Sequence, residues 1–144
     1  MGKRTDRRSV MKKYVGIPYK HNGRPPDKEL DCWGFIVYYF KNEYGVTLPN
    51  YRYIDPTEKS VASFEIVNTD LFKITENVNI KDVKKDDILL FNCAGQPMHV
   101  GLAIDNNMMI HCDRKVGSII ESFRSRLWEK RLYKAARLNL ENFN

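Results

Sequence analysis

The residue best placed to do chemistry is Cys32, in the segment Leu30–Gly34. Asp31 is a good N-cap, because its carboxylate can accept hydrogen bonds from backbone N–H groups of a first helical turn. Cys32 is therefore expected at the start of a helix, where partial positive charge and free N–H groups favour a thiolate over a thiol. A free cysteine is also commonly just a small buried hydrophobic residue. The nucleophilic interpretation therefore requires a base elsewhere in the chain.

Two histidines can supply that base. His99 begins one apolar run and His111 lies near the end of the next, and Asp105–Asn107 between them fits a tight turn. A hairpin folded there pairs position 99 near position 113, which places His111 diagonal to His99 and within reach on a shared face. One imidazole can then take the Cys32 proton while the other group orients its ring. Taken singly, each histidine is more often a hydrogen-bonded structural residue.

The first half of the chain is predicted to be helical around this cysteine. The helix that begins at Cys32 should run to about Tyr44, and Gly45 follows as a stop. Its apolar face comprises Trp33, Ile36, Val37, Phe40 and Tyr44. A short basic helix is predicted over Asp6–Tyr14, and a loop rich in turn residues over Tyr19–Asp27 leads into the cysteine.

The second half is predicted to be a sheet. A second helix over Thr57–Val67 is followed, from Leu71 onward, by short apolar runs separated by polar turns. The predicted strands are Ile88–Phe91, His99–Ile104, Met108–Cys112, Val116–Phe123 and Leu132–Leu138. Ala94–Pro97 is predicted as a turn and Arg124–Glu129 as a short helix. Helices followed by an antiparallel meander predict an α+β fold, as one domain over residues 1–144 with its core at about 14–138.

Composition limits the class of protein. With 144 residues and 42% hydrophobic content, the chain can bury a core without a metal or disulfide crosslink. The 24 Lys and Arg residues exceed the 18 acidic ones, giving a net charge of +6, and many lie in Met1–Lys13 and Arg124–Arg137. Such runs are typical of solvated faces, although they also favour polyanions such as nucleic acid or an anionic cell wall. No stacking motif of aromatic and basic residues is present, so nucleic acid is not the expected partner.

The cysteines and the N-terminus indicate the compartment. Cys32, Cys93 and Cys112 cannot all pair within the chain, and none lies in a C-x-x-C arrangement. We therefore expect free thiols, synthesis in the reducing cytoplasm and no metal site. The basic N-terminus lacks an apolar h-region and no run approaches 18 apolar residues, so we expect neither a signal peptide nor a membrane partner.

Together these motifs resemble the NlpC family of papain-like cysteine peptidases. The resemblance extends from about Tyr14 to the C-terminus and rests on Asp31-Cys32-x-Gly34-Phe35, Asp87–Phe91, His99–Leu102 and Met109–His111. It implies a papain-like fold in which Cys32 is the nucleophile, His99 the general base and acid, and His111 the group that orients His99. No metal or organic cofactor is implied.

The same resemblance assigns a second set of candidate residues. Tyr19, in Gly16-x-Pro18-Tyr19-x-x-x-Gly23, matches a family tyrosine that lines the site near the oxyanion. Asp31 and Trp33, on either side of the nucleophile, are the other candidates for oxyanion or substrate binding. Trp33 stands where the family commonly has serine, and its bulk must alter either the packing beneath the cysteine or the substrate groove.

The resemblance predicts a cysteine peptidase or amidase that hydrolyses peptide bonds in peptidoglycan stem peptides through a thioester. The Trp33 pattern resembles versions found in phage tail proteins, so we expect association with a virion and with other tail proteins. The alternative is a structural tail assembly component that retains the peptidase fold with little turnover.

Overall fold

The described residues form an antiparallel sheet with a helix packed on it. The computed structural model describes residues 11–49, 75–93 and 96–143. The strands are β1 Thr75–Val78, β2 Ile88–Cys93, β3 Gln96–Ala103, β4 Met108–Asp113, β5 Gly117–Ser122 and β6 Leu132–Leu138. The helices are α1 Cys32–Tyr44 and α2 Arg126–Glu129, and short 3₁₀ turns lie at Lys12–Tyr14, Ile80–Asp82 and Leu140–Phe143.

The strand order is β1-β6-β2-β3-β4-β5, with antiparallel neighbours throughout. Strands β2 to β5 form the predicted meander, and the α+β, papain-like fold class is confirmed. The last strand does not extend the meander, because β6 returns to lie between β1 and β2. Its Ala135 and Ala136 are both buried, as expected for a strand covered on both faces.

Helix α1 has the predicted bounds because both of its ends carry local signals. The Asp31 carboxylate accepts the Gly34 N–H at 2.7 Å, and Gly45 ends the helix in the left-handed region with φ 68°. The apolar side chains predicted for its face are buried, with one exception. Tyr44 is 40% exposed and bonds through its hydroxyl to the Asp86 carboxylate, so its placement in the core was wrong. The helix packs on β3 and β4.

Because successive side chains of a strand point to opposite faces, the core is divided between the two faces of the sheet. The face under α1 is lined by Ile88, Leu90, Val100, Leu102, Ile110 and Cys112. The opposite face is lined by Leu89, Phe91, Ala103 and Met109, which pack with Phe123 and with Trp128 of α2. Residues adjacent in sequence on β3 and β4 therefore face different sets of neighbours.

Three local predictions need correction. Gln96 and Pro97 belong to β3 and not to the turn predicted over Ala94–Pro97, and a register shift between Phe91 and Asn92 accompanies this pairing. Strand β1 was missed, because its sequence Thr-Glu-Asn-Val has no apolar run and it forms an edge of the sheet. In the basic segment predicted as a helix over Asp6–Tyr14, Met11 is α-helical, but the last three residues, Lys12–Tyr14, form a 3₁₀ turn.

Other predictions fall on parts of the chain that the structure does not describe. The helix predicted over Thr57–Val67 and the start of the one over Asp6–Tyr14 lie outside the described residues. The single domain over residues 1–144 stays a prediction. Within the described ranges, no helix combines the length and apolar character needed to cross a membrane.

Candidate active site

Cys32 is the first residue of α1 and is only 1% exposed. The capping carboxylate of Asp31, immediately before it, is fully buried and takes three donors from the protein itself. Its Oδ1 accepts from Gly34 N at 2.7 Å and from Arg24 Nη1 at 2.6 Å, and its Oδ2 accepts from Asn22 N at 3.1 Å. Asp31 therefore positions the helix start that carries the nucleophile. Its role in oxyanion or substrate binding stays a prediction.

The loop before the helix is pressed against the first helical turn. Arg24 is buried and its Nη1 also donates to the carbonyl oxygen of Gly23 at 2.8 Å. A Cβ atom added at Gly34 would lie 2.0 Å from that same oxygen, so only glycine allows this approach. Arg24 was not predicted as a site residue, because an arginine in a turn-rich loop gives no local signal of burial.

Tyr19 lies beside Leu30, in the segment that leads into Cys32. It forms a parallel bridge with Leu30, flanked by hydrogen bonds from Leu30 N to Pro18 O at 3.0 Å and from Lys20 N to Leu30 O at 3.1 Å. The tyrosine is half-buried and packs against the core cluster that contains Cys32. This placement agrees with the resemblance, and a role at the oxyanion stays a prediction.

Trp33 points into the core. It is 1% exposed, and its indole N–H donates to the carbonyl oxygen of Pro49 at 2.8 Å. These contacts favour altered packing beneath the cysteine over an altered substrate groove.

The two histidines lie together, as the hairpin predicted. Leu102 pairs with Ile110 and Ala103 with Met109, which is the register that sets His111 diagonal to His99. His99 Nε2 lies 2.7 Å from His111 Nδ1, and both rings are buried. Because α1 packs on the strands that carry the pair, the nucleophile and the histidines stand on contacting elements. The catalytic roles of Cys32, His99 and His111 stay a prediction.

Aromatic side chains pack against the histidine pair on the face of the sheet opposite α1. The Trp128 ring stacks on His99 with ring centres 5.4 Å apart and an interplanar angle of 27°. Its centre also lies 5.1 Å from that of His111, and Phe91 approaches His99 at 6.0 Å. These contacts restrict rotation of both imidazoles. Trp128 was missed, because its proximity depends on how α2 folds back over the sheet.

His111 has a second partner on the next strand. Its Nε2 lies 2.6 Å from Oε2 of Glu121. His111 pairs with Ile119, so Glu121 occupies the diagonal position on the same face. The residues His99, His111 and Glu121 therefore form a hydrogen-bonded row across β3, β4 and β5. Glu121 was not predicted as a site residue, because an acidic residue in a half-exposed strand gives no signal until the strand register is known.

Cys112 is a packing residue in the core under α1. It is buried, and its thiol donates to the carbonyl oxygen of Leu30 at 3.2 Å. Burial raises the pKa of this thiol to about 12, with further raising contributions from Cys32, Asp31 and Asp113. The described part of the chain has no group of three side chains that could hold a metal ion.

A cysteine at the start of a helix that packs on the strands carrying a hydrogen-bonded histidine pair agrees with the predicted papain-like cysteine peptidase domain. Comparison with protein families gives the narrower class. The NlpC/P60 family matches residues 16–137. Since this match covers most of the chain, the chain belongs to the NlpC/P60 family, a family of cysteine peptidases, and the predicted resemblance is confirmed.

Named relatives and solved structures agree with this assignment. The chain is 26% identical over 132 residues to the Escherichia coli K12 murein DD-endopeptidase MepS/murein LD-carboxypeptidase, covering 90% of this chain and 61% of that protein. It is 24% identical over 121 residues to the Bacillus subtilis gamma-DL-glutamyl hydrolase, covering 83% of this chain and 25% of the relative. The chain thus spans about three fifths of the length of MepS.

The fold is shared with solved domains of the family. The NlpC/p60 domain of the peptidoglycan hydrolase SagA superposes with a TM-score of 0.61 at 20% identity, covering 92% of this chain and 96% of that one. A lipoprotein-like NLP/P60 protein of Staphylococcus aureus gives a TM-score of 0.64 at 23% identity, covering 94% and 43%. At these identities the likeness is one of fold.

Proposed function

We propose that this protein is a cysteine peptidase that hydrolyses peptide bonds in peptidoglycan stem peptides. The observation that carries the proposal is the 2.7 Å contact between His99 and His111, on the sheet over which the Cys32 helix packs. Membership of a cysteine peptidase family supports the chemistry. Relatives named as a murein endopeptidase and a peptidoglycan hydrolase support the class of substrate.

In the proposed reaction, His99 takes the Cys32 proton through Nδ1, since its Nε2 is engaged by His111. The thiolate attacks the scissile carbonyl carbon, and the protonated His99 returns its proton to the leaving amine as the C–N bond breaks. Water then attacks the thioester with His99 as base, which releases the carboxylate product and restores the thiol. The Cys32 backbone N–H and the Tyr19 hydroxyl would bind the oxyanion.

The proposed setting is a phage tail. Its support is the Trp33 pattern and the basic first segment, which suits an acidic partner surface. Purified virions should contain the protein, and virions that carry Cys32→Ala should assemble but lose the ability to degrade cell walls. Recovery of the protein only from lysates, and never from virions, would exclude this setting.

The activity is tested by digesting purified peptidoglycan with the wild type and with Cys32→Ala, followed by mass analysis of the released fragments. We expect stem-peptide fragments from the wild type alone. Cys112→Ala is the matched thiol control, and it should release the same fragments as the wild type. If the folded wild type releases nothing from any peptidoglycan, the structural tail component is the better account.

A further inference from the structure

We propose that Glu121 is a positioning residue that selects the tautomer of His111 and thereby keeps His99 able to accept the Cys32 proton. This inference rests on the proposed function. It starts from the hydrogen-bonded row in which His99 Nε2 meets His111 Nδ1 at 2.7 Å and His111 Nε2 meets Glu121 Oε2 at 2.6 Å.

When the third residue of a triad is a histidine, the direction of its hydrogen bond to the catalytic histidine is ambiguous. At 2.7 Å, one of the two facing nitrogens must carry a proton and the other a lone pair. If His111 carries its proton on Nδ1, it donates to His99 Nε2, and a neutral His99 then holds its own proton on Nδ1. His99 would have no lone pair left for Cys32. An asparagine in place of His111 has no tautomers, and when its amide oxygen faces His99 Nε2 that oxygen can only accept.

Glu121 removes the ambiguity. An ionised carboxylate only accepts, so its 2.6 Å contact requires the proton of His111 to be on Nε2. The Nδ1 lone pair of His111 then accepts from His99 Nε2–H, which leaves His99 Nδ1 as the base. During the reaction one proton moves between the Cys32 sulfur, His99 Nδ1 and the leaving amine, while His111 and Glu121 keep their protonation states.

Glu121 is the carboxylate that contacts the His99–His111 pair. Two other carboxylates on neighbouring described elements have partners of their own. Asp113, further along β4, accepts from the amides of Lys115 and Val116, and Asp31 is paired with Arg24. The Arg131 guanidinium lies beyond Trp128, 5.6 Å from the centre of its ring. The Glu121 side chain is 34% exposed, so solvent screens part of its effect.

The test compares Glu121→Gln in two backgrounds, the wild type and His111→Asn, by the pH profile of kcat and KM on a soluble stem-peptide fragment. In the wild-type background we expect kcat to fall by roughly 10- to 100-fold with little change in KM. Both limbs of the kcat profile should move to lower pH, because loss of the negative charge lowers both pKa values of the coupled Cys32–His99 pair. In the His111→Asn background the same change should alter kcat by less than about 3-fold, since an amide needs no tautomer selection.

Glu76→Gln, at the far edge of the sheet, is the matched control and should leave both profiles unchanged. Equal losses from Glu121→Gln in the two backgrounds would show a merely structural role and overturn the inference, as would an unchanged wild-type profile.

A second measurement does not depend on turnover. The ¹⁵N chemical shifts of the His111 ring should report a proton on Nε2 in the wild type and a partial shift to Nδ1 in Glu121→Gln. A proton on Nδ1 in the wild type overturns the inference even if the enzyme is active. If the wild type is inactive on every peptidoglycan but shows the Nε2 tautomer, the proposed substrate fails and the selection of the tautomer stands.

Discussion

The guanidinium of Arg24 binds the carboxylate of Asp31 at 2.6 Å with both side chains fully buried, directly behind the cysteine that begins α1. Buried charges of this kind are stable only as a pair, because either side chain alone would lack both water and a counter-charge. The pair therefore links the loop before the helix to the position of the nucleophile. Loss of Arg24 should harm both folding and activity.

Arg24→Met should lower the free energy of unfolding by about 3–5 kcal/mol, because it leaves the Asp31 carboxylate buried without its partner. Urea denaturation followed by circular dichroism measures this loss. Lys13→Met is the matched control, since its 3.0 Å pair with Glu43 is partly exposed on both sides and should be worth about 1 kcal/mol or less. Adding Asp31→Asn to Arg24→Met should recover part of the loss, as a neutral asparagine still caps the helix. Similar losses from the Arg24 and Lys13 variants would contradict this account.

Gly34→Ala should destabilise the protein, although the same change in an ordinary helix stabilises it by about 1 kcal/mol. The sign reverses because the new Cβ atom would lie 2.0 Å from the carbonyl oxygen of Gly23, and backbone cannot move aside cheaply. Gly101→Ala is the comparison, because its nearest neighbour is the flexible Met109 sulfur at 3.0 Å. In thermal unfolding, the melting temperature of Gly34→Ala should be well below that of Gly101→Ala. A Gly34→Ala protein as stable as the wild type would show that the loop can withdraw at little cost.

The parts of the fold that could be predicted from the sequence are those set by local chemistry. The bounds of α1 follow from Asp31 and Gly45, which act on adjacent residues. The β3–β4 register follows from the short turn over Asp105–Asn107, and it was enough to bring His99 and His111 together.

The parts that could not be predicted depend on contacts distant in sequence. Strand β6 is placed between β1 and β2 by the whole sheet, and no local pattern encodes that order. Arg24, Trp128 and Glu121 likewise acquire their roles from the loop, helix and strand register that bring them to Cys32 or the histidines. A buried arginine also runs against the usual composition of the core.

Cys32 should react with iodoacetamide near neutral pH well before Cys112. The helix start and a partner imidazole favour the Cys32 thiolate, whereas burial raises the pKa of Cys112 to about 12. At pH 8 roughly one Cys112 in ten thousand would be ionised in the folded state. Peptide mapping after timed labelling gives the order of reaction, and unfolding in urea should make the two thiols equally reactive. Equal labelling in the folded protein would refute an activated Cys32.

The wild type should lose stability in alkaline solution more steeply than Cys112→Ala. The folded-state pKa of Cys112 is raised to about 12, so the unfolded chain releases this proton first. The stability from the neutral thiol is complete below the unfolded pKa and falls as pH rises toward 12, by about 1.4 kcal/mol per pH unit. Burial also raises the pKa of Tyr39 and Tyr133, but both proteins share that loss. Urea unfolding between pH 8 and 10.5 measures the difference. Parallel curves for the two proteins would contradict a neutral buried thiol.

His99 and His111 should differ in their cost to turnover, because only His99 exchanges the proton with Cys32 in the proposed reaction. His99→Ala should lower kcat by at least about 10³-fold. His111→Asn should retain activity within about 10-fold of the wild type, since its amide oxygen can accept from His99 Nε2–H as His111 Nδ1 does across 2.7 Å. His111→Leu removes the acceptor and should be much worse than His111→Asn at similar stability. Initial rates of stem-peptide cleavage, with circular dichroism to confirm folding, give the comparison. Full activity in His111→Leu would remove His111 from the triad and leave the ring contacts of Trp128 and Phe91 to orient His99.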